Sequence, residues 1–216
     1  MKNSTEKLLR SIINSDWTLF NKKPIPQKLN QESLQESIEV LNKYNINYCV
    51  TWGTQLGLTR DSALIDGDDD IDFLIDAKDF DKVVEAFYKE KYLFSPICPY
   101  AKFAWPDFLQ VVKVRENVGC LVDFYFYHDE SPFYVEGFYY EPWDTKEEKI
   151  KNKTSLRFPK EIFFPFIEMV INDVRINMPN KPELAAEWSF GKNWKKIIEI
   201  QAYKWEIVNH TPKITV

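Results

Sequence analysis

Four of the five residues from Asp68 to Asp72 are aspartates, and the fifth, Ile71, separates Asp70 from Asp72. Carboxylates packed this densely repel one another unless a cation neutralises them. Their spacing adds direction. In an extended segment Asp70 and Asp72 point to one face while Ile71 and Phe73 point to the other. Two carboxylates on one face suit a hard divalent cation. Mg²⁺ takes one or two carboxylates and completes its shell with water and phosphate oxygens, with Mn²⁺ as the alternative. Asp68 lies two residues further back and joins the set if the extension begins early. A later acid, Asp123, sits in the otherwise apolar run Leu121-Val122-Asp123-Phe124-Tyr125-Phe126. A charge there is costly to bury without a partner. If its strand lies beside the first, Asp123 completes a three-carboxylate site. The expected metal ligands are therefore Asp68, Asp70, Asp72 and Asp123, and the expected catalytic residues are Asp70, Asp72 and Asp123.

A second block precedes the acids: Trp52-Gly53-Thr54-Gln55-Leu56-Gly57-Leu58-Thr59-Arg60. Three of the chain's six glycines (Gly53, Gly57, Gly67) fall between Trp52 and Phe73, which points to close approaches that side chains would forbid. Gly53-Thr54 follows a β-rich run and opens a short helix over 54–60. The N–H groups at such a helix start can hold a phosphate. Gly53, Thr54 and Gln55 are the expected substrate-binding segment, although Thr54 equally serves as a plain helix cap. Arg60 is the nearest cation, placed to pair with a donor phosphate or to tie the acidic loop down. Lys102, Lys113 and Arg115 are candidates to hold an anionic donor; most such residues are ordinary surface groups.

Competing chemistries fare worse. Asp68, Asp70 and Asp72 have the spacing of a calcium loop, but that loop needs glycine where Phe73 stands. A solvated acidic face would not alternate with Ile71 and Phe73. The Asp-x-Asp site of a GT-A-type glycosyltransferase is the rival, yet that fold needs a longer α/β segment before the motif. Neither His128 nor His210 has triad or zinc spacing. The 7 Trp, 11 Tyr and 16 Phe are mainly core, although a subset of Trp52, Trp105, Tyr125, Tyr127 and Trp143 could box a quaternary ammonium group.

The 216 residues suffice for one domain with its own core. The net charge of −5 and pI near 5.3 argue against a nucleic-acid partner, which needs a cationic surplus. Cys49, Cys98 and Cys120 form no CxxC pair, which fits neither a disulfide framework nor a zinc site and fits a reducing cytoplasm. No run of about 18 apolar residues suggests a membrane span. The first 15 residues read as an amphipathic packing helix on Leu8, Leu9, Ile12 and Ile13, not as a secretory signal or a membrane anchor.

The elements that must position the acids follow from periodicity. Residues 21–30, with Pro24 and Pro26, read as a linker, so that 1–30 form an N-terminal helix and linker and 31–216 a single domain. Helices are expected over 31–45 and 79–90 and through most of 181–206, with Asn180 as the cap of the last. Strands are expected over 46–51, 70–75, 109–115 and 120–127, the last two joined by a turn at 116–119. A second hairpin, 165–171 with 173–178, turns near Asn172-Asp173. This order implies an α+β fold: a small mixed sheet flanked by helices, with a C-terminal helical segment.

The blocks Gly53-Thr54-x-Leu56-Gly57-x-x-Arg60 and Asp68-Asp69-Asp70-Ile71-Asp72 resemble the hallmark of the LicD/fukutin-type family of the nucleotidyltransferase fold. Leu121-Val122-Asp123-Phe124 resembles its later Asp strand. The stretch from Phe158-Pro159 through Met178-Pro179-Asn180 to Phe190-Gly191-Lys192-Asn193-Trp194 is similar to its closing segment. Asp66-Gly67 stands where the family often has Pro-Trp. The resemblance, over roughly residues 40–195, implies transfer of phosphocholine or a polyol phosphate from a CDP-linked donor to a hydroxyl of a surface glycan. Mg²⁺ would be held by Asp70 and Asp72, with Asp123 holding a second ion or taking the hydroxyl proton. Nucleotidyl transfer from a nucleoside triphosphate is the alternative on the same fold.

Overall fold

Alternating apolar side chains build the centre of the molecule. The structure is a computed structural model that describes residues 3–13, 24–95, 108–130, 133–136 and 156–196. Its main sheet runs β1 (Tyr48–Val50), β2 (Asp70–Asp76), β5 (Val118–Glu130), β4 (Phe108–Arg115) and β3 (Leu93–Phe94) in that spatial order. β2 and β5 are parallel; the other neighbouring pairs along this path are antiparallel. The far half of β5 extends the sheet through β6 (Phe133–Glu136) to β7 (Leu156–Pro159). A separate hairpin joins β8 (Ile167–Ile171) to β9 (Val174–Met178). The α+β expectation holds, with a mixed sheet.

One face of the sheet is apolar over its centre. Ile71, Phe73 and Ile75 of β2, Val122, Phe124 and Phe126 of β5, and Leu109 and Val111 of β4 share one core cluster. Opposite them pack Leu34, Ile38 and Leu41 of α2 (Gln27–Lys43) and Val83, Val84 and Phe87 of α4 (Phe80–Lys89). α1 (Asn3–Ile12) adds the buried Leu9, with Leu8 and Ile12 against the same cluster. The amphipathic stripe read from the sequence is thus a packing face.

The other face carries Asp70, Asp72 and Leu74, and is covered by α3 (Trp52–Asp61), α5 (Lys160–Phe163) and α6 (Pro182–Phe190). Leu74 and Tyr127 pack there with Phe163 and Ala185. Leu56 of α3 meets Ala186 and Trp194.

Several boundaries differ from expectation. α2 begins at Gln27 rather than 31, because Pro26 stands at its N-cap, where a missing N–H costs nothing. Residues 24–30 are therefore not an open linker: Ile25 and Leu29 bury with Cys120 and Val118. The first hairpin turns in two residues, Glu116 (φ 48°) and Asn117 (φ 64°), as tight hairpins require, so β5 starts at Val118 rather than 120. Asn180 is not the cap of α6; Lys181 holds that position with Pro182 as the first helical residue. That helix is followed to Phe190 rather than through 206; residues beyond 196, Cys98, Lys102, Trp105, Trp143 and His210 lie outside the described residues. The second hairpin turns at Asn172 (φ 49°) and Asp173 (φ 64°) as read from the sequence.

Gly57 shows how tightly the chain returns over α3. A Cβ there would meet the backbone of Ala63 (O, 2.7 Å) and Ile65 (N, 2.8 Å). Gly57→Val should therefore cost about 1–3 kcal/mol, read as a lower urea midpoint with an unchanged slope. An unchanged midpoint would mean that the 62–67 return does not cross the helix this closely.

Candidate functional site

The parallel pairing of β2 with β5 decides the site. Its register sets Asp72 opposite Asp123, and the β4–β5 hairpin sets Gln110 opposite Asp123. Asp72, Asp123 and Gln110 thus form one polar row across three adjacent strands, on the face away from α2 and α4. Asp70 stands one pleat away from Asp72. The three acids are 6 %, 3 % and 1 % exposed for Asp70, Asp72 and Asp123. Their carboxylate oxygens lie within 4.8 Å of one another, and a second such group, Asp68, Asp69 and Asp70, adjoins it at Asp70. Of the four acids expected as ligands, Asp70, Asp72 and Asp123 form one group, and Asp68 adjoins it through Asp70.

The helix block locks onto the acids from above. Thr54 and Asp72 exchange hydrogen bonds: the Asp72 N–H donates to Thr54 Oγ1 (2.9 Å) and the Thr54 N–H to Asp72 Oδ2 (3.4 Å). Thr54 is therefore no helix cap; Thr51 holds that position, and α3 opens at Trp52 rather than 54. Gly53 lets the acids approach, since a Cβ there would stand 2.9 Å from Asp68 Oδ2 and 3.4 Å from Asp72 Oδ2. Trp52 turns the chain from β1 into α3 with φ 43°, strained for a bulky residue. Its ring is held against Tyr125 (6.0 Å) and, at right angles, Phe190 (6.2 Å). From below, the Asp68 carbonyl accepts from the Ile25 N–H (3.2 Å) and Asn30 Nδ2 (2.9 Å), pinning the start of the acidic run.

Several expected substrate contacts are placed elsewhere. Gln55 Nε2 donates to Thr59 Oγ1 (2.8 Å) and the Pro182 carbonyl (2.9 Å), tying α3 to α6. Arg60 sits at the far end of α3, about 10 Å along the axis from Gly53, paired through Nε (2.9 Å) and a terminal nitrogen (2.6 Å) with Asp61. Lys113 points to the opposite face of β4: it pairs with Glu36 of α2 and lies 4.9 Å over the Tyr92 ring. Arg115 shares Glu36. Two residues near the acids were not singled out from sequence, Gln110 and Asn30. The first follows from the two-residue turn, because Arg115 opposite Val118 fixes every pair behind it. Asn30 gives no comparable signal in its polar surroundings. Cys49 borders the site face beside Leu74, but burial pushes its thiol well up, which leaves no thiolate for chemistry.

The donor set fits a hard divalent ion. Such an ion has metal–oxygen distances of roughly 2–2.6 Å, so ligand oxygens a few ångströms apart can share it. Three buried carboxylates are also a costly arrangement that a doubly charged ion offsets.

Comparisons with known proteins bear on the fold and the family. The crystal structure of the lincosamide antibiotic adenylyltransferase LnuA, lincomycin-bound, is similar in fold, with a TM-score of 0.50 over 82 % of this chain and 94 % of that one, at 15 % identity. Among curated proteins none matches this chain at a significant level. Residues 45–181, which hold the Gly-Thr block, all four acids and Gln110, match the family described as LicD/FKTN/FKRP, nucleotidyltransferase domain. The chain belongs to the LicD family, a family of transferases on the nucleotidyltransferase fold.

Proposed function

We propose that this transferase is Mg²⁺-dependent and moves phosphocholine or a polyol phosphate from a CDP-linked donor to a hydroxyl of a surface glycan. One observation carries the reading: Asp70, Asp72 and Asp123, buried on one sheet face, converge within 4.8 Å. Asp70 and Asp72 are the residues assigned to hold Mg²⁺, with Asp68 beside them. When bound, the ion would supply neutralisation of charge on the transferring phosphate. The N–H groups at the start of α3, beside Gly53, are assigned to phosphate oxygens. Lys102 is assigned to the donor pyrophosphate on the sequence alone. The acceptor oxygen forms a bond to the phosphorus that bears the choline or polyol. The bond from that phosphorus to the bridging oxygen breaks, and CMP leaves with the electron pair. Asp123 would share the ion with Asp70 and Asp72 through one carboxylate oxygen and take the hydroxyl proton on the other as general base. The free, buried Cys49 and Cys120 fit the reducing cytoplasm in which we place the chain. Among the described residues no helix is long and apolar enough to cross a membrane.

A second reading, nucleotidyl transfer, draws on the fold shared with an adenylyltransferase. Product mass separates the two: an acceptor that gains a nucleotide contradicts the first reading, and one that gains an alcohol phosphate contradicts the second.

Asp70→Asn and Asp72→Asn should each lower turnover by about a thousandfold or more while the far-UV circular dichroism stays unchanged. Turnover retained in both variants would contradict the scheme. In a thermal-shift series with CDP-choline, CDP-ribitol, CDP-glycerol and nucleoside triphosphates, the true donor at about 100 times its Kd adds roughly 2.7 kcal/mol. That is a rise of roughly 5–10 °C for a chain of this size, expected only with Mg²⁺ present. An equal rise without Mg²⁺ would remove the metal from donor binding.

A further inference from the structure

We infer that Gln110 is a positioning residue, which holds Asp123 in the orientation that a divalent ion requires. The inference rests on the metal reading proposed above and adds a residue that lies outside the Gly-Thr and Asp-run motifs. Gln110 is 1 % exposed in the middle of β4, among Phe108, Leu109, Val111 and Val112. It stands opposite Asp123 in the β4–β5 register, and its Nε2 donates to Asp123 Oδ1 at 2.9 Å. An amide N–H can only donate, and an ionised carboxylate can only accept. The bond therefore fixes the turn of the Asp123 carboxylate about its Cβ–Cγ bond.

Packing does not account for a glutamine here. The buried Gln110 Oε1 accepts from no described residue. An apolar side chain like its strand neighbours would avoid that cost, since a buried polar atom without a partner is destabilising. What the amide does is tether Asp123. Asp72 is tethered independently, through the Thr54 N–H and hydroxyl. Each of the two facing acids thus has its own anchor, one from α3 and one from β4. Groups that orient a metal ligand typically change metal affinity by about 10–100-fold.

The test is Mn²⁺ binding, read by the loss of the free-ion paramagnetic resonance signal, on the full chain and its variants. Gln110→Met keeps the side-chain volume and removes the donor. We expect it to weaken Mn²⁺ binding by about tenfold or more with a wild-type circular dichroism spectrum and a cooperative melt. Gln110→Glu, which puts an acceptor where the donor stood, should weaken it at least as much and decides the matter if the methionine variant does not fold. Because Gln110 acts through Asp123, its loss should add little once Asp123→Asn is present, yet multiply with Asp70→Asn. Wild-type affinity in a folded Gln110 variant, or independent effects of Gln110 and Asp123, would overturn the inference while leaving the metal site standing. Equal Mn²⁺ binding by wild type and Asp70→Asn would overturn the metal reading itself.

Discussion

Like charges buried together are the constraint on which the rest of this structure depends. Within 4.8 Å and at an effective dielectric of about 20, each ionised pair among Asp70, Asp72 and Asp123 repels by at least roughly 3 kcal/mol. Nothing local in the sequence forces Asp123 onto Asp70 and Asp72. The parallel β2–β5 pairing does so, and it is held by the apolar side of the same strands, where Phe73 stacks on Phe124 at 5.7 Å and Phe87 of α4 meets Phe124 at 4.7 Å. Each strand therefore carries two demands on alternate residues: one side supplies the packing energy, and the other presents the charges that this packing compresses. A one-residue slip would exchange the two sides and bury the acids against α2 and α4.

Around the acids, the polar groups that answer them come from separate elements. Thr54 reaches Asp72 from α3, Gln110 reaches Asp123 from β4, and Ile25 and Asn30 take the Asp68 carbonyl from the segment that opens α2. Gly53 leaves room for two carboxylates where a side chain would intrude. Asp70, Asp72 and Asp123 are thus carried on strands, which suits a reaction that depends on placing a phosphate in line with its attacker.

Much of this was legible in the chain. The alternation of Asp70 and Asp72 with Ile71 and Phe73 is a local signal, and so are the apolar run around Asp123 and the glycines at 53 and 57. The fold class followed from the order of these elements. What failed was side-chain partnership. Lys113 is a cation on a strand beside the site, and only the pairing register shows that it faces α2 and Glu36 instead. Arg60 is close in sequence to the acids, but the helix carries it to the far end, against Asp61. By residue type the turn after β4 spans four residues rather than two, because Glu116 is an unusual residue at positive φ, and the longer turn conceals the pairing of Gln110 with Asp123. Pro26 is a breaker by type, but its place at the helix start makes it an initiator.

The most direct test of the central claim is to locate the ion. Crystals of the full chain grown with Mn²⁺ and measured near the manganese absorption edge report it by anomalous difference density. The account predicts the strongest peak on the sheet face between β2 and β5, roughly 2–2.5 Å from carboxylate oxygens of Asp70, Asp72 and Asp123. Density confined to surface carboxylates, with those three acids unligated at saturating Mn²⁺, would contradict it.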